Sequence, residues 1–229
     1  MYMYKEIDGW RTTQMDMCLK SAKKQGNGNI EDYQHSELMV AMSHCSRIRV
    51  AVDIGAHVGL TAFQMAKSFD HVHAFEINPP IYECMVHNLK DRCNNVTTYP
   101  VGIGEIEENV DLVTTNKSFS THIKPGTQNQ NKGKLPVMPL DFYNLQDVDF
   151  IKIDAEGYEP LVALGAIETI KRCQPTILYE RKEHPVRYGY NRDSIRDVLM
   201  PYGYRMVRKI GRGEKNAVLA YRPGMSPDA

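Results

Sequence analysis

Short apolar runs and longer amphipathic stretches alternate along most of the chain. The runs at residues 50–54, 71–76 and 149–154 have the length of strands, and stretches of helical length lie between and after them. Strands that alternate with helices favour a parallel sheet with helices on both faces. The pattern therefore predicts a doubly wound, Rossmann-like α/β fold.

The same pattern predicts where the individual elements and domains lie. The predicted strands are residues 50–54, 71–76, 96–101, 149–154 and 176–180, followed by a terminal hairpin of residues 204–210 and 216–221. The predicted helices are residues 17–24, 37–42, 60–68, 79–92, 160–172 and 193–200. The stretch 109–114 is a further candidate strand, and the polar stretch 118–135 is predicted to be loop. The predicted domains are a helical lead-in or lid at residues 1–47, an α/β domain at residues 48–222 and a tail at residues 223–229.

Composition narrows the class of protein. The 229 residues are 42% apolar and 24% charged, which is enough apolar material for one large core. Lys plus Arg and Asp plus Glu both total 28, so the zero net charge argues against a dedicated nucleic-acid binder. The five cysteines form no C-x-x-C pair, and no apolar run approaches the ~20 residues that span a bilayer. We expect a cytoplasmic protein with no nucleic-acid or membrane partner, and a homo-oligomer is left open.

The first apolar run ends in a glycine turn that reads Asp53-Ile54-Gly55-Ala56-His57-Val58-Gly59. In open α/β sheets, ligands bind beyond the carboxyl ends of the strands, and glycines there let the backbone turn tightly and approach the ligand. Glu76 ends the next predicted strand, where a carboxylate can accept hydrogen bonds from both hydroxyls of a ribose. The turn therefore predicts a site for a nucleoside cofactor.

This turn differs from the G-x-G-x-x-G fingerprint of nicotinamide dinucleotide sites. His57 stands where the middle glycine would be, so no pyrophosphate cradle is evident, and Asp53 would repel a pyrophosphate. A cationic cofactor such as S-adenosylmethionine suits the acidic turn better. A nicotinamide site and a turn without a ligand are the alternatives that the residues leave open.

The second informative stretch is Phe150-Ile151-Lys152-Ile153-Asp154-Ala155-Glu156-Gly157-Tyr158-Glu159. Asp154 and Glu156 lie two residues apart at the end of a predicted strand, so their side chains can share one face. A positioned carboxylate or a metal ion can help to remove the proton of a hydroxyl nucleophile. Lys152 is a candidate to orient the acceptor or to pair with Glu180. Acidic groups that merely stabilise the start of a helix are the alternative.

Four blocks of the sequence, in order, resemble one family of enzymes. They are Asp53-Ile54-Gly55-Ala56-His57-Val58-Gly59, then Phe75-Glu76-Ile77-Asn78-Pro79, then Ile151-Lys152-Ile153-Asp154-Ala155-Glu156-Gly157-Tyr158-Glu159 with Gly165-Ala166, and Pro175-Thr176-Ile177-Leu178-Tyr179-Glu180. Together they resemble the FkbM family of S-adenosylmethionine-dependent O-methyltransferases. The resemblance implies a class I methyltransferase fold, which is a seven-stranded, mostly parallel sheet with an antiparallel last strand. It also implies S-adenosylmethionine as the cofactor.

Carried over by position, the resemblance assigns the cofactor site. The acidic start and the glycines of the turn would line the methionine end of the cofactor, and Glu76 would hold the ribose. His57 stands where the family usually has a small or amide residue, and Ser120 lies in a loop that resembles a cofactor-contacting segment. The expected cofactor-binding residues are Asp53, Gly55, Ala56, His57, Gly59, Glu76, Ile77, Asn78 and Ser120.

The block around Asp154 is also similar to the Arg-Ile-Asp-Gly-Asp block of macrocin-type sugar O-methyltransferases, where the first acid binds a divalent ion and the second is the base. By that similarity, Asp154 is expected to be a metal ligand or substrate anchor and Glu156 the general base. Glu180 is the candidate second ligand for Mg²⁺ or Mn²⁺, although those enzymes carry an acidic pair where this chain has Glu180-Arg181. The expected catalytic residues are Lys152, Asp154 and Glu156.

The loop that follows the strand 176–180 is the candidate acceptor site. Tyrosines and basic groups at the strand ends can stack on a sugar and hydrogen-bond to it, and an ordinary solvated loop is the alternative. The expected acceptor-binding residues are Tyr158, Arg181, His184 and Tyr188.

The predicted function is an S-adenosylmethionine-dependent O-methyltransferase that acts on a sugar hydroxyl. The acceptor would be a glycan or a glycosylated metabolite, for example a deoxyhexose such as rhamnose, and the sugar follows from the resemblance alone. An NAD-dependent sugar oxidoreductase or epimerase would need a Tyr-x-x-x-Lys pair, but Tyr179 is followed four residues later by Glu183, and Tyr188 by Arg192. A catalytically inactive cofactor-binding subunit is the third class, against which the intact acid pair argues.

Overall fold

The structure, a computed structural model, describes residues 2–113, 121–125 and 134–224. The α-helices in these ranges are α1 (Cys18–Gln25), α2 (His35–Met42), α3 (Leu60–Ala66), α4 (Pro79–Leu89), α5 (Glu159–Leu164), α6 (Ile167–Cys173) and α7 (Ser194–Leu199). The strands are β1 (Tyr4–Ile7), β2 (Trp10–Thr13), β3 (Val50–Ile54), β4 (His71–Phe75), β5 (Val96–Tyr99), β6 (Gly102–Ile103), β7 (Glu108–Val110), β8 (Leu112–Val113), β9 (His122–Ile123), β10 (Leu135–Met138), β11 (Val148–Ile153), β12 (Thr176–Glu180), β13 (Tyr204–Ile210) and β14 (Asn216–Tyr221). None of the described helices has both the length and the apolar character needed to cross a membrane.

Seven of these strands form one sheet in the order β13-β14-β12-β11-β3-β4-β5. The strands from β12 to β5 are parallel to one another, whereas β14 is antiparallel to both β12 and β13. The structure thus confirms the predicted α/β fold, with a mostly parallel sheet and an antiparallel last strand. The carboxyl ends of the parallel strands meet at one edge, which brings together the loops after β3, β4, β11 and β12.

Side chains alternate between two cores, one on each face of this sheet. In β11, Phe150 belongs to the core beneath α3 and α4, whereas Ile151 belongs to the core beneath α5, α6 and α7. All six residues of β11 are buried. A central strand that is covered on both faces is normally apolar throughout, so Lys152 within β11 requires a partner of opposite charge.

Several elements agree with the sequence pattern, and others differ for local reasons. The strand β12 and both strands of the terminal hairpin begin and end where predicted. The predicted helix 160–172 is instead two helices, α5 and α6, because the chain turns at Gly165. There the backbone packs so closely that a Cβ atom on Gly165 would lie 1.8 Å from the carbonyl oxygen of Gly104.

The first 47 residues contain the two predicted helices together with a strand hairpin that the pattern did not predict. They begin with the antiparallel hairpin of β1 and β2, and α1 and α2 follow. Trp10 is 1% exposed and packs edge-on against Phe63, with ring centroids 5.4 Å apart. Asn88 in α4 accepts a hydrogen bond from the backbone N–H of Arg11 and donates one to the carbonyl of the same residue. The segment is therefore part of the core that contains α3 and α4.

The stretch between β5 and β11 carries two small sheets, β6-β10-β7 and β8-β9. The candidate strand 109–114 is divided between β7 and β8, and residue 114 lies outside the described residues. The stretch 118–135, predicted to be loop, includes β9 and the first residue of β10. Both small sheets lie in the part of the chain that contributes Gly102, Leu112 and His122 to the wall of the cavity described next.

Candidate active site

A cavity of about 220 Å³ lies at the carboxyl ends of β3, β4 and β11. Its wall includes Gly55 and His57 from the turn after β3, Glu76 after β4, and Asp154 and Glu156 after β11. The two informative stretches of the sequence therefore face one cavity. This is the location at which open α/β sheets bind their ligands.

The glycine turn and the loop after β11 touch through their backbones. The Asp154 N–H donates to the carbonyl of Ile54 at 3.0 Å, and the N–H groups of Gly55 and Ala56 both donate to the Phe75 carbonyl at 3.0 Å. Gly55 has a φ of 76°, and a Cβ atom on it would lie 1.9 Å from the carbonyl oxygen of Asp154. Glycine is therefore required at this position, both for the backbone conformation and for the contact between the loops.

Glu76 joins the two loops on the β3 and β4 side of the cavity. Its Oε2 accepts a hydrogen bond from the backbone N–H of His57 at 3.0 Å, and its Oε1 accepts one from that of Asn78 at 2.7 Å. The side chain is 8% exposed, and burial raises its pKa from the ordinary value. Each carboxylate oxygen can accept a further hydrogen bond, so Glu76 can still receive the hydroxyls of a ribose.

The predicted cofactor residues divide into those in the cavity wall and those behind it. The wall contains Gly55, Ala56, His57, Glu76 and Ile77. Asp53, Gly59 and Asn78 are not in the wall: Gly59 and Asn78 cap the starts of α3 and α4, and Asp53 is fully buried. Ser120 lies outside the described residues.

Asp53 lies behind the wall and forms a buried ion pair with Lys152, which lines the cavity. The Asp53 Oδ1 lies 3.3 Å from the Lys152 Nζ, and its Oδ2 accepts a hydrogen bond from the Thr61 hydroxyl at 2.6 Å. The Lys152 Nζ also lies 3.7 Å from the Asp154 Oδ2. Burial acts to lower the pKa of Lys152, but the charges of Asp53 and Asp154 outweigh it and raise that pKa. Among the described contacts, Lys152 therefore pairs with Asp53 and Asp154, and Glu180 is not one of its partners.

The N-terminal segment supplies part of the wall, which the sequence pattern did not predict. Cys18, Tyr33 and Gln34 line the cavity beside the glycine turn. The His57 Nε2 lies 3.1 Å from the Oδ2 of Asp16, which is 1% exposed. Burial opposes the protonated form of His57, but Cys18 and Asp16 outweigh it and raise the pKa of His57 well above its ordinary value. No local motif marks these residues, because their place depends on how the N-terminal segment packs.

The acidic loop after β11 meets the loop after β12 in a cluster of Glu156, Glu180 and His184. The His184 Nδ1 lies 3.0 Å from the Glu156 Oε2 and 3.9 Å from the Glu180 Oε2. The Glu180 Oε1 forms an ion pair with Lys182. Burial raises the pKa of Glu180 to about 9, and the neighbouring charge of Asp154 adds to the effect. All three residues are candidate site residues from the sequence, but the sequence pattern did not predict that they meet in one cluster.

The predicted acceptor residues have different surroundings. Tyr158 lines the cavity, and its hydroxyl donates to the Glu108 Oε1 at 2.8 Å. Tyr188 packs edge-on against Tyr158, with ring centroids 5.0 Å apart. Arg181 is not in the cavity wall and donates instead to both carboxylate oxygens of Asp193, at 2.6 and 2.8 Å. Arg181 and Asp193 therefore satisfy each other away from the site.

Comparison with known proteins gives the family. The model of the methyltransferase FkbM domain matches residues 53–206, which is more than half of the chain. No curated protein matches the sequence.

Solved structures include similar folds. The methyltransferase FkbM from Methylobacillus flagellatus KT has 20% sequence identity and a TM-score of 0.53, and the similarity covers 76% of this chain and 43% of that chain. The precorrin 8w decarboxylase from Methanobacterium thermoautotrophicum has 15% identity and a TM-score of 0.47, over 81% of this chain and 88% of that chain. At these identities the first structure shows the fold alone, and the chain spans less than half of its length.

Proposed function

Since the chain belongs to the FkbM methyltransferase family, we propose that it uses S-adenosylmethionine to methylate a hydroxyl group of a sugar. The proposed acceptor is a glycan or a glycosylated metabolite, with a deoxyhexose such as rhamnose as the first example. The observation that carries the proposal is a single cavity with Glu76 on one side and the Asp154 and Glu156 loop on the other. The Glu76 side can bind the nucleoside of the cofactor, and the side with Asp154 and Glu156 can supply the general base.

The charges in the wall support a cationic cofactor over a dinucleotide. Three acids, Glu76, Asp154 and Glu156, line the cavity, and the basic residues in the described wall are one lysine, Lys152, and two histidines, His57 and His122. Two phosphates would meet this acidic surface without a glycine cradle, whereas a sulfonium or an α-amino group would be attracted to it. The balance of charge therefore favours S-adenosylmethionine over NAD.

When bound, S-adenosylmethionine supplies an electrophilic methyl group. Glu156 is proposed to take the proton of the acceptor hydroxyl as the new O–C bond forms and the S–C bond breaks. Lys152 holds Asp154 at 3.7 Å and so fixes the wall beside Glu156. Tyr158 is proposed as the flat surface against which a sugar ring packs, because its ring lines the cavity while its hydroxyl is engaged by Glu108.

A divalent ion held by Asp154 and Glu180 stays a prediction. The Asp154 Oδ2 lies near the Lys152 ammonium, which competes with a cation for this carboxylate. Glu180 lies instead with Glu156 and His184. A role for Arg181 in acceptor binding is weakened by its bonds to Asp193. A cytoplasmic location, expected from the scattered cysteines, and the absence of a nucleic-acid partner, expected from the neutral charge, also stay predictions.

The proposal is tested first by calorimetry. We expect S-adenosylhomocysteine to bind with a micromolar dissociation constant and NAD to give no heat. Binding of NAD alone would overturn the proposal in favour of a sugar oxidoreductase. Absence of binding by either would favour an inactive or partner-dependent domain.

The acceptor class is tested with labelled S-adenosylmethionine. The protein is incubated with free, nucleotide-linked and glycoside forms of deoxyhexoses, and label transfer to the sugar is measured by mass spectrometry. A mass increase of one methyl group on a sugar oxygen is the expected result. Cofactor binding with transfer only to non-sugar hydroxyls would retain the methyltransferase and reject the sugar.

A further inference from the structure

Three buried atoms at the end of β12 face one another without a hydrogen-bond partner. They are the Glu156 Oε2, the Glu180 Oε2 and the His184 Nδ1, which lie within 4.8 Å of one another. The Glu180 side chain is 10% exposed, and its contact with Lys182 uses its other oxygen. Buried polar atoms normally have partners, because an unpartnered one loses its hydration without compensation. A proton or a cation between the two carboxylate oxygens would supply such a partner.

Acidic groups outnumber ammonium groups in this cluster. Glu156 and Glu180 both contact His184, and Lys182 is the ammonium group paired with Glu180. Lys152 pairs instead with Asp53 and Asp154, so among the described contacts it does not join the cluster. Two acids and an imidazole therefore meet with one ammonium group beside them.

We propose that Glu156, Glu180 and His184 form a binding site for a divalent transition-metal ion. The site refines the acceptor side of the proposed function, but ion binding does not depend on methyl transfer. Metal–ligand bonds of about 2.1 Å in octahedral geometry place neighbouring ligand atoms about 3 Å apart and opposite ones about 4.2 Å apart. The contacts of His184, at 3.0 and 3.9 Å, fall within this span. Two carboxylate oxygens and an imidazole favour Mn²⁺, Fe²⁺ or Zn²⁺ over Mg²⁺, which prefers oxygen ligands alone.

The backbone holds the two acidic loops at this distance. Gly157 has a φ of 108°, and a Cβ atom on it would lie 2.7 Å from the carbonyl oxygen of His184. Arg187 donates to the carbonyl of Glu156 at 3.0 Å. The ligand set is therefore assembled by contacts between the loops after β11 and β12, and it differs from the predicted pair of Asp154 and Glu180 because Asp154 faces Lys152.

A second cluster of ligand types, Asp16, Cys18 and His57, is less suited to a cation. The Asp16 Oδ1 accepts a hydrogen bond from the Cys18 N–H at 2.6 Å, and its Oδ2 contacts the His57 Nε2 at 3.1 Å. The Oδ2 has no hydrogen-bond partner either, but this cluster offers a cation one carboxylate where the first cluster offers two. This cluster serves as the alternative location in the test.

The test uses the full chain after treatment with a chelator and dialysis. Mn²⁺ is added in steps, and free Mn²⁺ is measured by electron paramagnetic resonance, with Zn²⁺ and Mg²⁺ compared by calorimetry. We expect one saturable Mn²⁺ site and weaker binding of Mg²⁺. Glu180→Gln and His184→Gln should each raise the dissociation constant for Mn²⁺ at least tenfold. The matched control is Glu183→Gln, since Glu183 is exposed and contacts Arg192, and it should bind as the parent does.

Three results would overturn the site. They are no saturable binding of Mn²⁺ or Zn²⁺ by the parent protein, equal binding by Glu180→Gln and His184→Gln, and a loss of binding confined to Asp16→Asn. Thermal unfolding and S-adenosylhomocysteine affinity without metal show that each variant is folded. The same cofactor titration separates the two proposals, because a protein that binds Mn²⁺ and no S-adenosylhomocysteine retains the metal site and loses the proposed function.

Discussion

The two sides of the cavity hold buried carboxylates in opposite ways. On the β3 and β4 side, Glu76 accepts a backbone hydrogen bond on each oxygen, and Asp53 is held by Thr61 and Lys152. On the β11 and β12 side, Glu156 and Glu180 each keep a buried oxygen without a donor. Asp53 and Glu76 have a partner on both oxygens, so we call the β3 and β4 side the satisfied side and the β11 and β12 side the unsatisfied side. A carboxylate with partners on both oxygens helps to shape a binding surface. A carboxylate with an unpartnered oxygen can still bind a proton or a cation.

The largest expected effect comes from removing the charge of Glu156. Glu156→Gln should lower the turnover of methyl transfer by about 10²–10⁴-fold, because a positioned base contributes a factor of this size. The affinity for S-adenosylhomocysteine should stay unchanged, since Glu76 lies on the other side. Steady-state kinetics and calorimetry measure the two quantities, with Glu168→Gln, at an exposed residue of α6, as the control. Turnover at the level of the control would reject the base.

The contact that joins the two sides can be broken at Gly55. Gly55→Ala should lower the free energy of unfolding by about 4 kcal/mol, because its Cβ would clash with the Asp154 carbonyl. Gly213→Ala is the matched control: its φ is also positive, at 71°, but no atom lies within 4 Å of the added Cβ. The free energy of unfolding of the control should fall by only about 1–2 kcal/mol, which is the cost of a left-handed backbone conformation for a residue with a Cβ atom. Urea unfolding of both variants measures the difference, and equal losses would mean that the loops do not depend on this contact.

The stability of the protein should also depend on pH through Glu159, a buried acid at the start of α5, directly after the loop that follows β11. Burial raises the pKa of Glu159 to about 7, although its Oε1 accepts hydrogen bonds from the N–H groups of Ala155 and Gly157. The folded state then binds the proton more tightly than the unfolded state. Stability from this group is present at low pH and is lost as the pH rises from about 4.5 to about 7, by on the order of 3 kcal/mol.

Denaturant unfolding at pH 5 and pH 8 tests this dependence. The parent should lose stability between the two values, and Glu159→Gln, which cannot ionise, should show a smaller loss. The same slope in both proteins would show that Glu159 titrates normally.

The smallest of the expected effects belongs to the satisfied side. Glu76→Ala should weaken S-adenosylhomocysteine binding by about 1–3 kcal/mol, as expected for lost hydrogen bonds to a charged group. Calorimetry measures the change, and Glu107→Ala, at an exposed residue, is the control. An unchanged dissociation constant would place the ribose elsewhere.

The sequence predicts Gly55 and Glu76 at the cavity because their signals are local. The turn at Gly55 follows β3 directly, and Glu76 follows β4, so both positions can be read from two neighbouring segments. Trp10 could not be placed in the same way. Its burial depends on Phe63 and on the neighbouring contacts of Asn88, which lie far away in the sequence.

The unsatisfied side depends on sheet register. Lys152 is directly beside Asp53 in the parallel ladder of β11 and β3, so it pairs with Asp53 rather than with Glu180, which lies two residues beyond its partner in β12. Glu180 and Arg181 are consecutive, so their side chains leave the strand in opposite directions. This is why Glu180 meets His184 while Arg181 turns to Asp193.

The antiparallel β14 has a consequence for biosynthesis. It lies between β12 and β13, so β12 has no neighbour on that side until β14 has been made. At ribosomal rates of 5–20 residues per second, translating residues 181–221 takes roughly 2–8 s. Until β14 pairs with it, β12 is an edge strand with unpaired backbone groups, which is a template for aggregation. The step that completes the catalytic sheet is therefore also the one at which a chaperone would be most useful.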